Sequence, residues 1–212
     1  MGQKVNPIGL RIGSYLPWKS RWFAGKRNFK NFLLEDIKLR KILTEKLKLA
    51  GITNIEIERQ PKSMTVIIWV SRPGVVIGRG GVGIEDVKKE ILKVLGIANF
   101  KIDIKIQEVK NPELSAQLVA ERIASDLERR IPHRRAVQKA IERVMAAGAL
   151  GIKVALGGRI GGAEISRVEK FHEGSIPSQT LREEIDYFQV PALLKKGYVG
   201  VKVWIHKSKS NR

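Results

Sequence analysis

The sequence predicts an α+β fold in two units, the second with its helices first and a mostly antiparallel sheet after them. Three observations predict it. Apolar residues recur at helical steps in some segments and at every second residue in others. The pair Asn111-Pro112 interrupts the pattern near the middle of the chain. With 212 residues and a hydrophobic fraction of 43%, the chain can bury two ordinary cores.

The first unit reads as helix, strand, strand, short helix, glycine loop, helix, strand. From about Asn28 to Ala50, Phe32, Leu33, Ile37, Ile42, Leu43 and Leu47 recur at helical spacing, and Gly51 suits a C-terminal cap. Asn54 to Glu58 alternates as a strand, residues 61–63 form a turn, and Thr65 to Val70 is a more buried strand. Arg72-Pro73-Gly74 breaks it. Val75 to Gly78 makes a short helix, and Ile84 to Leu95 a longer one with Val87, Ile91 and Leu95 on one face. Phe100 to Gln107 alternates as a third strand.

In the second unit two helical stretches, about Pro112–Arg130 and Pro132–Ala147, come first. Strand-like segments follow at Gly151–Leu156, Ala163–Phe171, about Ile185–Val190 and Tyr198–His206. The expected organisation is a basic N-terminal arm over residues 1–27, a domain over 28–110, a domain over 111–206 and a basic tail over 207–212.

The charge points to a polyanion. Forty Lys and Arg stand against 21 Asp and Glu, a formal net charge of +19. A compact chain carrying that excess repels itself, and nucleic acid relieves the repulsion. The charge is also segregated. Between Met1 and Leu34 there is no acidic residue, and cations including Lys4, Arg11, Arg21, Lys26 and Arg27 interleave with Trp18, Trp22, Phe23 and Phe29. Such interleaving suits a segment that docks on RNA and on protein together.

Several classes are excluded. Cysteine is absent, and His133, His172 and His206 have no metal-ligand spacing, so neither a metal nor another cofactor is expected. No apolar run approaches the ~20 residues that span a bilayer. Residues 1–13 lack an apolar signal core, and Asn6 stands where a myristoylation motif wants Ser or Thr. No nucleophile elbow or clustered acid pair appears, so no enzyme is expected.

Three motifs carry chemistry. The first is Gly78-Arg79-Gly80-Gly81, set between two helices and preceded by an apolar pair. A loop without Cβ atoms at its ends lets backbone amides and a helix N-terminus approach a phosphate backbone. The loop resembles the GxxG loop of KH domains, and the element order around it is that of the type II form. Gly78, Gly80 and Gly83 also satisfy a dinucleotide-binding pattern, with Asp103 downstream. Pro73-Gly74 separates them from the preceding strand, and no series of βαβ units follows, which argues against that reading.

The second motif begins at Arg129-Arg130-Ile131-Pro132-His133-Arg134-Arg135. Pro132 suits a helix start, after which Arg135, Lys139 and Arg143 recur every fourth residue with Arg134 beside them. Ala136, Ala140, Val144 and Ala147 offer the packing face. A solvated face is one reading of the stripe and a phosphate-lined partner the other, since like charges at this spacing repel. The third motif, Gly157 to Arg167, reads either as a tight turn with incidental arginines or as an RNA contact through Arg159 and Arg167.

Four blocks then extend over nearly the whole chain: MGQKVNPIGLRIG at residues 1–13, VIGRGG at 76–81, GIKVALGGRIGGAEISR at 151–167 and GYVGVKVWI at 197–205. Together they resemble the bacterial-type family of small-subunit ribosomal protein three. The resemblance implies an N-terminal type II KH domain, a C-terminal α+β domain and a structural place in the head of the small subunit. It implies partners in 16S-type rRNA, messenger RNA and neighbouring head proteins, without homo-oligomers or membrane. It implies a cytoplasmic ribosome or one in an organelle of bacterial descent. Arg134 and Arg135 match the family's pair facing messenger RNA at the entry channel, where another basic position is Gln138 here, followed by Lys139. The other reading is a free KH-domain regulator, against which the basic aromatic arm speaks, since it suits permanent burial in RNA and protein.

Overall fold

The N-terminal stretch is shared between two units and does not stand apart as an arm. In the computed structural model, which describes residues 3–61, 63–95 and 101–208, Trp18–Lys110 form one unit and Met1–Pro17 join Asn111–Arg212 in the other. The expected boundary at residue 27 is therefore corrected. Met1-Gly2, Lys62 of the expected turn, Phe100 at the expected strand start and residues 209–212 of the tail lie outside the described residues. So do the side chains of Arg79 and Leu95.

Helix α1 (Pro7–Arg11) comes first, capped by Asn6, whose Oδ1 accepts from the amides of Ile8 at 2.9 Å and Gly9 at 3.3 Å. Arg11, 1% exposed, explains why this short helix belongs to the C-terminal unit. Its guanidinium donates to the carbonyls of Pro7 (2.9 Å), Glu183 (2.9 Å), Thr180 (2.8 Å) and Ser178 (3.4 Å). A buried cation needs such acceptors. The expectation that Arg11 binds RNA is corrected: its donors are taken by the loop before the third strand of its own unit.

In the other unit β1 (Ser20–Arg21) pairs parallel with β2 (Ile52–Arg59). Between them runs α2 (Lys26–Lys46), followed by a 3₁₀ turn at Lys48–Ala50 that Gly51 closes at φ 67°. The buried line of α2 is Asp36, Leu39 and Leu43, continued by Leu47. Leu33 and Ile37, expected inward, are 43% and 55% exposed. The helix is turned because Asp36 faces in. It accepts from Ser20 Oγ at 3.0 Å, Trp22 Nε1 at 2.8 Å, and Arg59 Nε and Nη2 at 2.9 and 2.6 Å. Arg59 also pairs with Glu35 and lies 5.0 Å from the Phe32 ring centroid.

The remaining elements are β3 (Ser63–Val70), α3 (Pro73–Ile77), α4 (Val82–Leu95) and β4 (Lys101–Glu108). Strand order is β1-β2-β3-β4, with β2 and β3 antiparallel and β4 parallel to β3. A parallel return needs a crossover, and α3 with α4 provides it. Met64, Val66, Ile68 and Val70 alternate inward from β3, and with Leu39, Leu43 and Ile91 they form the core. From α2 onward this is the expected order of helix, two strands, two helices and strand; β1 lies outside that expectation.

The C-terminal unit contains α5 (Ala116–Glu128), α6 (His133–Ala146), β5 (Gly151–Gly158), β6 (Arg167–Gly174), β7 (Ile185–Leu194) and β8 (Gly197–His206). All its pairings are antiparallel, in the order β6-β5-β8-β7. Both helices pack on one face, where Ile123 and Ile141 meet Ile152, Val154, Val201 and Val203. Asp186 caps α5, accepting from the Ala116 amide at 3.0 Å. Strand β6 starts at Arg167, later than the expected Ala163. The cause is a 3₁₀ turn at Ile160–Gly162, where Gly161 and Gly162 adopt φ of 65° and 82°.

Candidate nucleic-acid interface

The glycine loop leaves α3 and enters α4 through three left-handed or extended glycines. Gly78, Gly80 and Gly81 have φ of 68°, 65° and 81°, so the backbone turns where a side chain would be strained. At Gly78 an added Cβ would meet the Gly83 amide nitrogen at 3.1 Å, and at Gly83 one would meet the Val76 carbonyl oxygen at 2.4 Å. Gly83 thus belongs to helix packing and not to a nucleotide pocket. Strand β3 ends at Val70 and a helix follows, so the strand-to-glycine turn of a dinucleotide site is not formed. Gly80 is exposed with open space around its Cβ position, which is the geometry a close-approaching backbone needs. We expect Gly80→Asp, at a φ that Asp tolerates at a cost of about 1 kcal/mol, to stay folded yet weaken RNA binding. Unchanged affinity in a titration of the folded variant would reduce the loop to a structural turn.

The stripe on α6 is displayed outward. Ala136, Val137, Ala140, Ile141 and Val144 are buried, and Arg134, Arg135, Lys139 and Arg143 are exposed. Ala147, expected in the packing face, is the C-cap and packs against the core. None of the four cations has a hydrogen-bond or ion-pair partner among the described residues. Gln138 donates to Glu142 at 3.3 Å, so the nearby acid is engaged with an amide. The helix start is anchored from the sheet. His133 Nε2 lies 3.0 Å from Glu169 Oε2, and Arg167 Nε holds the other oxygen of Glu169 at 2.9 Å. Ahead of it Arg130 takes φ 64°, closing the end of α5 through its amide to Leu127 O and that of Ile131 to Asp126 O.

The other expected RNA-binding cations fall into distinct environments. Lys4, Lys26 and Arg27 are exposed, and the last two begin α2. Arg21 pairs with Glu58 at 3.0 Å and Glu56 at 3.3 Å. Arg159 braces its glycine turn, donating to Ala163 O at 2.9 Å and Lys196 O at 3.4 Å. Arg167 is half exposed but held by Glu169. Each of these three candidates for RNA contact, Arg21, Arg159 and Arg167, has an intramolecular partner. Sequence reading missed Glu169 and Asp36, which hold these surfaces in place. Asp36 had a signal, since it sits one helical step before Leu39 and Leu43 on the apolar face.

Among the described residues no group of three His, Asp or Glu could hold a metal ion, and no helix is long and apolar enough to cross a membrane.

Residues 38–114 match the family model of the KH domain, and residues 123–205 match that of the ribosomal protein S3 C-terminal domain. The chain is 51% identical over 207 residues to small ribosomal subunit protein uS3 of Caldicellulosiruptor saccharolyticus, covering 98% of this chain and 92% of that one. Over the same length it is 50% identical to uS3 of Clostridium novyi and 50% to that of Caldanaerobacter subterraneus, covering 93% and 92% of them.

Proposed function

We infer function from the premise that this chain belongs to the family of small ribosomal subunit protein uS3. It is a structural RNA-binding component of the small ribosomal subunit that works in translation, with ribosomal RNA and neighbouring ribosomal proteins as partners. Its place is the head of the subunit, on 16S-type rRNA, in cytoplasmic ribosomes. Its role is to bind and hold RNA, with no bond made or broken by its own side chains. The second part of the reading is that α6 lines the path by which messenger RNA enters.

One observation carries that second part. Arg134, Arg135, Lys139 and Arg143 share an exposed helix face without a carboxylate partner, while Arg11, Arg21 and Arg167 are engaged within the protein. Cations left unpaired in a chain of +19 are placed for an external polyanion. Phosphate contacts position a strand without reading its sequence, which is what a path for every message requires.

The first part has a direct test. The tagged chain should co-sediment with small subunits and remain there after a high-salt wash. Recovery of the whole population in the supernatant would favour the free KH-domain regulator instead.

A further inference from the structure

The C-terminal sheet has a second face, opposite the one that α5 and α6 cover. Side chains alternate along each strand, so Ile152, Val154 and Leu156 point to the helices and Lys153 points away. The register then collects charge on the helix-free face. Lys170 on β6 and Lys202 on β8 both stand opposite Ala155, one on each side. One row along, Lys153 lies between His172 and Trp204, with Tyr187 beyond Trp204. The acids of these strands are on the other side. Glu169 and Glu173 stand opposite Leu156 and Ile152, and Asp186 opposite Ile205, all helix-facing positions.

This face therefore holds lysines and aromatic rings without a carboxylate among its strand residues. Lys170 and Lys202 are exposed, and none of Lys4, Lys153, Lys170 and Lys202 has an ion-pair partner among the described residues. The Lys153 amine sits below the ordinary lysine range. Its hydrogen bond with Lys4 is the first cause, partial burial the next, and the Lys4 and Lys170 charges follow. The rings are ordered. Tyr187 and Trp204 have centroids 5.1 Å apart at 35°, and Lys153 Nζ lies 5.5 Å from the Trp204 centroid.

We propose that the helix-free face of this sheet is a second RNA-binding surface, taking an unpaired strand with its phosphates along Lys170, Lys202 and Lys153 and a base against Trp204 and Tyr187. Half-buried rings set among cations on a sheet stack bases of any identity, and a duplex has no base face to offer them. Lysine as a point charge suits phosphate, and the three lysines disfavour a partner that is itself basic, while Glu183, which reaches His206 at the end of this face, is engaged with it at 3.2 Å. The surface is separate from the α6 stripe, which lies with the helices on the other side of the same sheet. It does not depend on the messenger reading.

The test uses the full chain and a 12-nucleotide oligouridylate carrying 4-thiouridine, irradiated and mapped by mass spectrometry. Cross-links are expected at Tyr187 or Trp204. The K170E/K202E variant should lose about fivefold of that yield, the effect of two exposed charges, while cross-links at α6 persist. Near-ultraviolet circular dichroism checks its fold, and Lys170→Gln with Lys202→Gln repeats the comparison with a milder change. Cross-links confined to the glycine loop and α6, or a yield indifferent to both variants, would overturn the proposal. Lysine acylation in assembled subunits supplies the other arm. Protection of Lys170 and Lys202 that nuclease digestion removes supports RNA; protection that survives digestion assigns the face to a protein and overturns it.

Discussion

Asp36→Ala should destabilise the KH unit by about 3 kcal/mol, the low end of the range for breaking a buried ion pair. Asp36 is 3% exposed and accepts four hydrogen bonds, two of them from Arg59. Removing it leaves a guanidinium whose side chain is 6% exposed with Glu35 as its remaining carboxylate. That surviving pair is why the low end is expected. The Ser20 hydroxyl and Trp22 indole lose their acceptor together, so β1 should loosen from β2. The measurement is a denaturant titration of the full chain followed by tryptophan fluorescence. Asp36→Leu combined with Arg59→Met should lose less than the single change, because no charge is then stranded. A single variant within about 0.5 kcal/mol of the parent would show that water replaces the carboxylate freely.

Replacing Arg134 and Arg135 with Ala should leave the fold intact and slow translation through stable downstream hairpins. Both residues lie in the first turn of α6, where a helix N-terminus disfavours cations by about 0.3–1 kcal/mol each. Alanine also has the higher helix propensity, so thermal stability should hold or rise. Two exposed phosphate contacts contribute about 1–2 kcal/mol together, which corresponds to roughly 5–30-fold in local affinity for the passing strand. Subunit occupancy should be unchanged, since the glycine loop and the N-terminal segment are untouched. Unstructured messages should be translated at nearly the parental rate. Equal slowing of structured and unstructured messages would place the stripe on ribosomal RNA instead.

Both expectations start from patterns that are local in the chain. The glycine loop was legible because helical spacing stops at Ile77 and resumes near Ile84, with glycines between. The α6 stripe was legible because four-residue spacing projects Arg135, Lys139 and Arg143 onto one face whatever the helix packs against. The orientation of α2 was not, since Leu33 and Ile37 are as apolar as Leu39 and Leu43. The positions of Arg59 on β2 and of Ser20 and Trp22 make Asp36 the inward residue.

The sequence by itself determined the order of elements from α2 onward, the α+β class, the glycine loop and the basic helix, because 3.6- and two-residue periodicities act over a few neighbours. The tertiary structure alone decided which cations are available. Arg11 and Arg134 stand in equally basic segments, yet one is enclosed by carbonyls at 178, 180 and 183 while the other faces outward. Lys153, Lys170 and Lys202 are far apart along the chain and become neighbours only through the register of β6, β5 and β8. Pairing over such separations depends on where each strand docks, and no local pattern carries that information.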